Sequence, residues 1–458
     1  MTEVQKLAQF TSSRKYEDLS GEAVRELKIR LLDSLGCAIG ALEGPPIRRI
    51  KNLTEDFGGK PLATLIGGGQ TAPDRSALYN SALVRYLDYN DSYLAKGETC
   101  HPSDNIGSVL AAGEYNDISG KDFLTALGIA YQVQCRLSDV APVRHKGFDH
   151  TVQGAYGCAA GAAYALGLSP EKTANAVAIA ATAYNALRVT RTGNLSNWKG
   201  LAFPSTGWTS THSAFLALHG ISGPEEVFEG NKGFKDSIAG EFEIDWSRED
   251  LERVRNTIIK KFNAEIHSQA TLEGLIELRQ EHHFNPADIE RVVLNTFDVA
   301  YHIIGGGEEG GKKNIRVKEE ADHSLPYMMS AALLDGNVLP AQYLPDRIVR
   351  DDIQTLLRKV EVNEKKEYSD RFPHEEACDI TIHFEDGHSL TKEKKDYEGF
   401  HTRPASWDFI EVKFTNLSRN FTEESLRAEI ITKVKDFENY SVRDLMHTLS
   451  KVNSVSHK

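Results

Sequence analysis

The sequence predicts a mainly α-helical domain joined to a smaller α/β (α+β) lid domain with an antiparallel sheet. Three observations support this. The 458 residues exceed what one hydrophobic core usually serves, so two domains are expected. From about residue 18 to 260, apolar residues recur at helical spacing, with segments of mostly Ala and Gly that allow helices to approach closely. Beyond residue 289 the pattern changes to β-branched alternation with a hairpin turn.

In chain order, Val24, Leu27, Leu31, Leu35 and Ile39 make one stripe of a helix over 18–42, with Ser20 as its N-cap. Gly44-Pro45-Pro46 ends it, and 47–57 is a further short helix. Residues 58–74 are a Gly- and Thr-rich connection with a short strand over Ala63–Ile66. Asp74–Leu87 is a helix that delivers a polar loop, Tyr86–Gly107. Helix then dominates to residue 239, with a turn at Ser119–Asp122 into a helix over Phe123–Cys135. Ala-rich helices cover 154–167, 172–186 and 207–218. Residues 290–297 read as a strand, and the Gly-rich 302–314 as a mobile connection. A helix over Asp322–Leu334 follows, then strands over 356–364 and 378–384. Asp386-Gly387 centres a hairpin turn into Ser389–Lys394. Thr422 caps a final helix ending at Phe437. The expected domains are 1–264, with 411–458 returning to it, and the lid at 265–410. There is no internal repeat.

Hydrophobic residues make up 40% of the chain and charged residues 26%, ordinary for a globular protein. A net charge of −13 argues against nucleic acid as a partner. An anionic substrate is still compatible, because a local cationic pocket can sit in an acidic protein. No run approaches the ~20 apolar residues needed to span a bilayer, and the N-terminus has no apolar signal core, so a cytoplasmic protein without a membrane partner is expected. Cys37, Cys100, Cys135, Cys158 and Cys378 form no CxxC pair. That spacing argues against an iron–sulfur cluster or structural zinc, and no metal or other cofactor is expected.

The polar loop carries Asp88, Asn90, Asp91, Ser92, His101, Ser103, Asp104 and Asn105 between two apolar helices. Burying so many hydrogen-bonding groups is unfavourable unless each finds a partner, which points to a ligand site. Four further polar breaks precede helices. They hold His150 in 144–151, Arg188, Arg191, Asn194 and Lys199 in 188–199, Lys260, Lys261 and His267 in 260–269, and His323 and Tyr327 in 322–327. Helix N-termini favour anions. Histidines and cations together suit a small polycarboxylate and proton transfer. Together the loop and the breaks supply His101, His150, His267 and His323, with Lys199, Lys260, Lys261, Arg188 and Arg191. The candidate substrate-binding residues are Ser92, Arg191, Lys260, Lys261 and Tyr327.

LDYND, HPSDN, GFDHT, ALRVTR, LSNWKG, KKFNAEIHSQ and ADHSLPY, in that order, resemble the MmgE/PrpD family over about residues 20–400. The match is strongest to its 2-methylcitrate dehydratase branch. The resemblance implies a homodimer with a helical domain, a smaller lid and no metal. It maps the family's active-site positions onto Asp88, His101, His150, Lys199, and Lys260 or Lys261 with His267, which makes Asp88, His101, His150, Lys199 and His267 the candidate catalytic residues. Ser92 stands where decarboxylase relatives carry Thr. Cys100 stands where dehydratase relatives often have Gly, which would allow positive φ. The implied activity is dehydration of a small tricarboxylate, foremost 2-methylcitrate to 2-methylaconitate in propionate catabolism, with citrate and cis-aconitate as related substrates. The alternatives are cis-aconitate decarboxylation, epimerisation of a polycarboxylate, and an inactive tricarboxylate-binding protein. In the dehydratase reading His101 or Asp88 is the base, His150 is the acid, and the lysines stabilise the enediolate-like state.

Overall fold

The computed structural model describes residues 1–193 and 195–453; Asn194, named above in the second of the four polar breaks, and 454–458 lie outside the described residues. The chain forms two compact units. The first comprises Met1–Thr190, Gly200–Thr257 and the chain from Ser406 onward, and the second Arg191–Lys199 and Ile258–Ala405. Helix predominates, with a smaller sheet-containing part. No helix among the described residues is long and apolar enough to cross a membrane.

The first unit opens with α1 (Glu3–Ser13) and α2 (Gly21–Gly40). Ser20 caps α2 as its stripe predicts, its hydroxyl accepting from Ala23 N at 3.0 Å. The prolines expected to end α2 instead open α3 (Pro45–Phe57). In the first helical turn a missing N–H costs no hydrogen bond, so Pro is tolerated there. A two-residue pair, β1 (Ala63–Thr64) and β2 (Gln70–Thr71), precedes α4 (Pro73–Tyr86). The polar loop contains an antiparallel hairpin, β3 (Tyr93–Ala95) and β4 (Glu98–Cys100), that turns at Gly97 with φ +88°. Then come α5 (Ile106–Asn116), α6 (Gly120–Val140), α7 (Thr151–Ala165), α8 (Pro170–Ala183) and α9 (Trp198–Leu218), whose first two residues group with the second unit.

Both α6 and α9 exceed their expected spans: α6 runs past Cys135, and α9 starts at Trp198 rather than near Gly207. The small residues of α7 serve close packing on α6, since a Cβ on Gly157 would lie 2.8 Å from the Ala130 carbonyl oxygen. Where α4 meets α5, a Cβ on Gly107 would lie 2.6 Å from Ser81 N.

In the second unit α10 (Gln269–His282) packs on a four-stranded sheet of order β6–β5–β7–β8, formed by β5 (Ile289–Thr296), β6 (Val360–Glu364), β7 (Cys378–Phe384) and β8 (Ser389–Lys394). Alternate residues of β7 are buried, the period-2 pattern of a sheet with one covered face. The sheet is mixed: β5 pairs antiparallel with β7, and β7 with β8, but β5 and β6 run parallel. Parallel neighbours need a long crossover, and the connection here includes α11 (Leu325–Asp335), capped by Ser324. Residues 356–359, expected as strand, are helical, so β6 starts only at Val360.

The chain then rejoins the first unit through α12 (Trp407–Ser418), α13 (Glu424–Lys435) and α14 (Val442–Leu449). α12 packs closely on α2, where a Cβ on Gly36 would lie 3.3 Å from Phe414 Cα. Glu423, not Thr422, occupies the N-cap of α13, and the Thr422 hydroxyl donates to the Ser418 carbonyl at 2.8 Å.

Candidate active site

In the first unit α4 ends at Tyr86 and the chain turns sharply through Asp88, which has φ +57°. Side chains other than Gly seldom adopt this left-handed conformation. It is held by the Asp88 N–H bond to the Arg85 carbonyl at 3.0 Å and by an Arg85–Asp88 ion pair at 2.5 Å. Arg85 also lies 3.5 Å from Asp104, and all three side chains are buried. Asn90 donates to Ser103 Oγ and Asp104 Oδ1, each at 2.8 Å. Asp91 accepts from Ser103 N at 3.0 Å and from the Tyr131 hydroxyl at 2.8 Å. Burial pushes its carboxyl above the usual range, and these hydrogen bonds oppose that. Cys100, where a positive φ was in question, lies in β4 outside the left-handed region, so it needs none of the freedom of Gly.

His101 Nδ1 lies 2.8 Å from the Asp91 carbonyl oxygen and 3.0 Å from Ser92 Oγ. A carbonyl can only accept, so Nδ1 carries the hydrogen and the lone pair of the neutral ring is on Nε2. The His150 ring stands edge-on to it, with centroids 5.4 Å apart at 71°. His150 precedes α7, with its Nδ1 3.4 Å from the buried Asp149 carboxylate. Glu98 of β4 ties the hairpin to this region by accepting from Val143 N and Arg144 N at 3.1 and 3.2 Å. Asp88, Ser92, His101 and His150 therefore lie in one buried polar neighbourhood.

The second unit holds another. Asp322, fully buried, accepts from Lys199 Nζ at 2.9 Å and from His323 Nδ1 at 2.8 Å through Oδ1, and from Lys318 Nζ at 2.7 Å through Oδ2. Burial opposes its ionisation, but the charges of Lys199 and Lys318 and the His323 hydrogen bond outweigh it and hold the carboxyl well below its usual range. The Asp322 carbonyl accepts from Glu265 N at 3.1 Å, which leads to the next pair. Glu265 accepts from His267 Nδ1 at 2.7 Å and from His267 N at 2.8 Å. Its carboxyl is also raised by burial, yet the charges of His267, His323 and Lys260 bring it down to about 2. His267 Nε2 is buried with no hydrogen-bond partner among the described residues, and the ring packs edge-on against Phe297 at 5.8 Å.

The remaining candidates fall differently. Lys260 is fully buried, whereas Lys261 is partly exposed and paired with Glu273 at 2.9 Å and Glu398 at 3.0 Å. The Tyr327 hydroxyl donates to the Gln342 carbonyl, and Arg191 Nη1 reaches the Lys199 carbonyl at 3.5 Å. Arg85 and Lys318 were missed from sequence, and Glu265 and Asp322, which lie in the breaks 260–269 and 322–327, were given no role there. Only Glu265, two before His267, and Asp322, next to His323, carried a local signal.

Buried histidines whose protonation is set by a carbonyl or a carboxylate, beside buried ammonium groups, are the equipment of acid–base chemistry on an anion. The class is thus a two-unit, mainly helical protein whose buried histidines are set against carbonyl and carboxylate partners. The chain belongs to the MmgE/PrpD family: the family's N-terminal domain matches residues 5–247 and its C-terminal domain residues 262–438. Relatives include the 2-methylcitrate dehydratase of Escherichia coli (strain K12), 30% identical over 420 residues that cover 85% of this chain and 84% of the relative. The mitochondrial 2-methylcitrate dehydratase of Yarrowia lipolytica is 28% identical over 390 residues, covering 81% and 73%. The cis-aconitate decarboxylase of Mus musculus is 26% identical over 460 residues, covering 93% and 90%.

Proposed function

We propose that this protein is a lyase that dehydrates a small tricarboxylate, foremost 2-methylcitrate to 2-methylaconitate. The observation that carries the reading is the His101–His150 pair, with His101 held in the tautomer that presents Nε2 as a base. Asp88 is the weaker candidate base, because its carboxylate is engaged by the Arg85 guanidinium. His101 Nε2 takes the proton from the carbon next to a carboxylate, and its electron pair forms the new double bond. The C–O bond of the neighbouring carbon breaks, and the leaving hydroxyl takes a proton from His150 and departs as water. In the second unit, the buried ammonium groups of Lys199 and Lys260 are suited to stabilising negative charge. We assign Lys260 rather than Lys261, since Lys261 serves Glu273 and Glu398. His267, oriented by Glu265, is a further proton-transfer group. Ser92 supports the His101 ring, and Arg191 braces the backbone at Lys199.

Decarboxylation of cis-aconitate is the second reading, favoured by relatives of that name that match over most of the chain. The purified protein is to be given 2-methylcitrate, citrate and cis-aconitate separately, with the absorbance of unsaturated product and the release of carbon dioxide both followed. Unsaturated product from 2-methylcitrate without carbon dioxide is expected. Carbon dioxide from cis-aconitate would replace the reading with decarboxylation, and inertness towards all three would refute both. His150→Ala should lower turnover by roughly 10²-fold or more.

A further inference from the structure

The carbonyl of Tyr89 lies in the candidate loop, one residue after Asp88 and two before Asp91. It accepts a hydrogen bond at 2.8 Å from Lys413 Nζ, which comes from α12, 324 positions further along the chain. Lys413 is buried, and the same ammonium lies 2.7 Å from Asp33 Oδ1 on α2 and 3.7 Å from the centroid of the Tyr89 ring. Asp33 is fully buried; burial raises its carboxyl, Lys413 lowers it, and the charges of Asp91 and Arg30 also act on it. One side chain therefore grips the backbone and the ring of the loop and is itself held by the core of the helical unit.

A buried ion pair is a poor source of stability, because desolvation offsets the attraction and an apolar residue of similar size often serves as well. What the ammonium supplies that an apolar side chain would not is a direction for the Tyr89 peptide. On one side of that peptide Asp88 adopts its left-handed conformation; on the other, the Asp91 carbonyl receives His101 Nδ1. A rotation of the Tyr89 peptide would turn both. We propose that Lys413 is a positioning residue for the acid–base loop: it fixes the Tyr89 carbonyl, and with it the Asp88 carboxylate and the Asp91 carbonyl that sets the His101 tautomer. This rests on the reading of His101 as the base.

Lys413→Met and Asp33→Asn separate positioning from stability, because both break the ion pair and only the first removes the donor to Tyr89. Two readouts are taken on the full-length protein: amide hydrogen exchange of the peptide covering 86–95, and kcat and KM on 2-methylcitrate. In Lys413→Met the peptide should exchange about 10-fold faster or more. Its kcat should fall by roughly 10–10²-fold with KM within about 3-fold, the scale of a misplaced catalytic group. Asp33→Asn should lower the unfolding midpoint but keep the loop exchange and kcat within about 3-fold of the parent. Lys413→Arg, which keeps a charged donor, should recover most of the kcat. Equal loop exchange and equal kcat in Lys413→Met and Asp33→Asn would overturn the proposal. Should Lys413→Met fail to fold, Lys413→Gln takes its place with the same two outcomes. If the parent turns over no tricarboxylate, the functional reading fails, and loop exchange alone still decides whether Lys413 holds the loop.

Discussion

Asp322→Asn removes a buried negative charge shared by two ammonium groups. The Lys199 and Asp322 side chains are 3% and 0% exposed, so water screens their 2.9 Å pair very little. Breaking such a buried pair by removing one partner costs about 3–5 kcal/mol. Lys318, more exposed at 16%, adds less. Lys199→Met leaves Asp322 with Lys318, so it should cost about 1.5–3 kcal/mol, the value of a lost hydrogen bond to a charged group. In the double variant neither partner of the pair remains, and the loss should fall short of the sum of the singles by roughly 1–3 kcal/mol. Urea titration followed by far-UV circular dichroism measures all three. Two compact units need not unfold together, so hydrogen exchange of peptides across 318–335 assigns the loss to the second unit. The sign with pH is also set. The Asp322 carboxyl sits below its ordinary value in the fold, so its stabilisation is complete above about pH 4 and is lost as pH falls below that. The gap between parent and Asp322→Asn should narrow in acid. A cost under about 1 kcal/mol, or additivity within about 0.5 kcal/mol, would refute the shared-charge account.

Lys260→Met should lower turnover by roughly 10²-fold, the scale of losing a charge-stabilising group, while Lys261→Met should chiefly lower the unfolding midpoint; equal kinetic losses would reverse that assignment. Glu376, fully buried, is held well above its usual range by burial, with the charge of Glu265 adding to the effect. Its proton is kept in the fold where the unfolded chain releases it, so the parent loses stability as pH rises above about 4.5. Glu376→Gln should therefore gain on the parent between about pH 5 and pH 8, read from urea midpoints, and a constant difference would refute this. Gly107→Ala would put a Cβ 2.3 Å from Ser81 Oγ and 2.6 Å from Ser81 N. Overpacking against backbone should cost about 1–3 kcal/mol in chemical denaturation, and an unchanged midpoint would show that α4 and α5 can separate.

The elements that were legible in the sequence are those whose signals are local. Ser20 with the apolar stripe of α2 is one, and Asp386-Gly387 between β7 and β8 is another, because capping, periodicity and turn chemistry act within a few residues. The β3–β4 hairpin was not legible. Its strands are three residues long, and its polar side chains are satisfied from far away, Tyr93 by Asp139 and Glu98 by Val143 N. The parallel pairing of β5 and β6 was hidden for a similar reason: strand alternation says which face is buried and nothing about the direction of a neighbour.

The same division runs through the site. Residue types at the breaks nominated His101, His150, His267 and His323 with Lys199, Lys260, Lys261, Arg188 and Arg191, because imidazole and cations between apolar helices are suited to one kind of chemistry, and the family resemblance narrowed them. What makes an imidazole an acid or a base, however, is the partner on its other nitrogen. For His101 that partner is a backbone carbonyl, which every residue possesses and no sequence can flag. For His267 it is Glu265, near enough in the chain to be suspected once the structure has drawn attention to it. For the loop as a whole it is Lys413, in a tail helix whose sequence offers only an ordinary amphipathic surface. Chemistry is therefore readable as composition at the point of reaction. Orientation depends on specific partners, often distant in the chain, and it decides which nitrogen of a buried histidine is left to face a ligand.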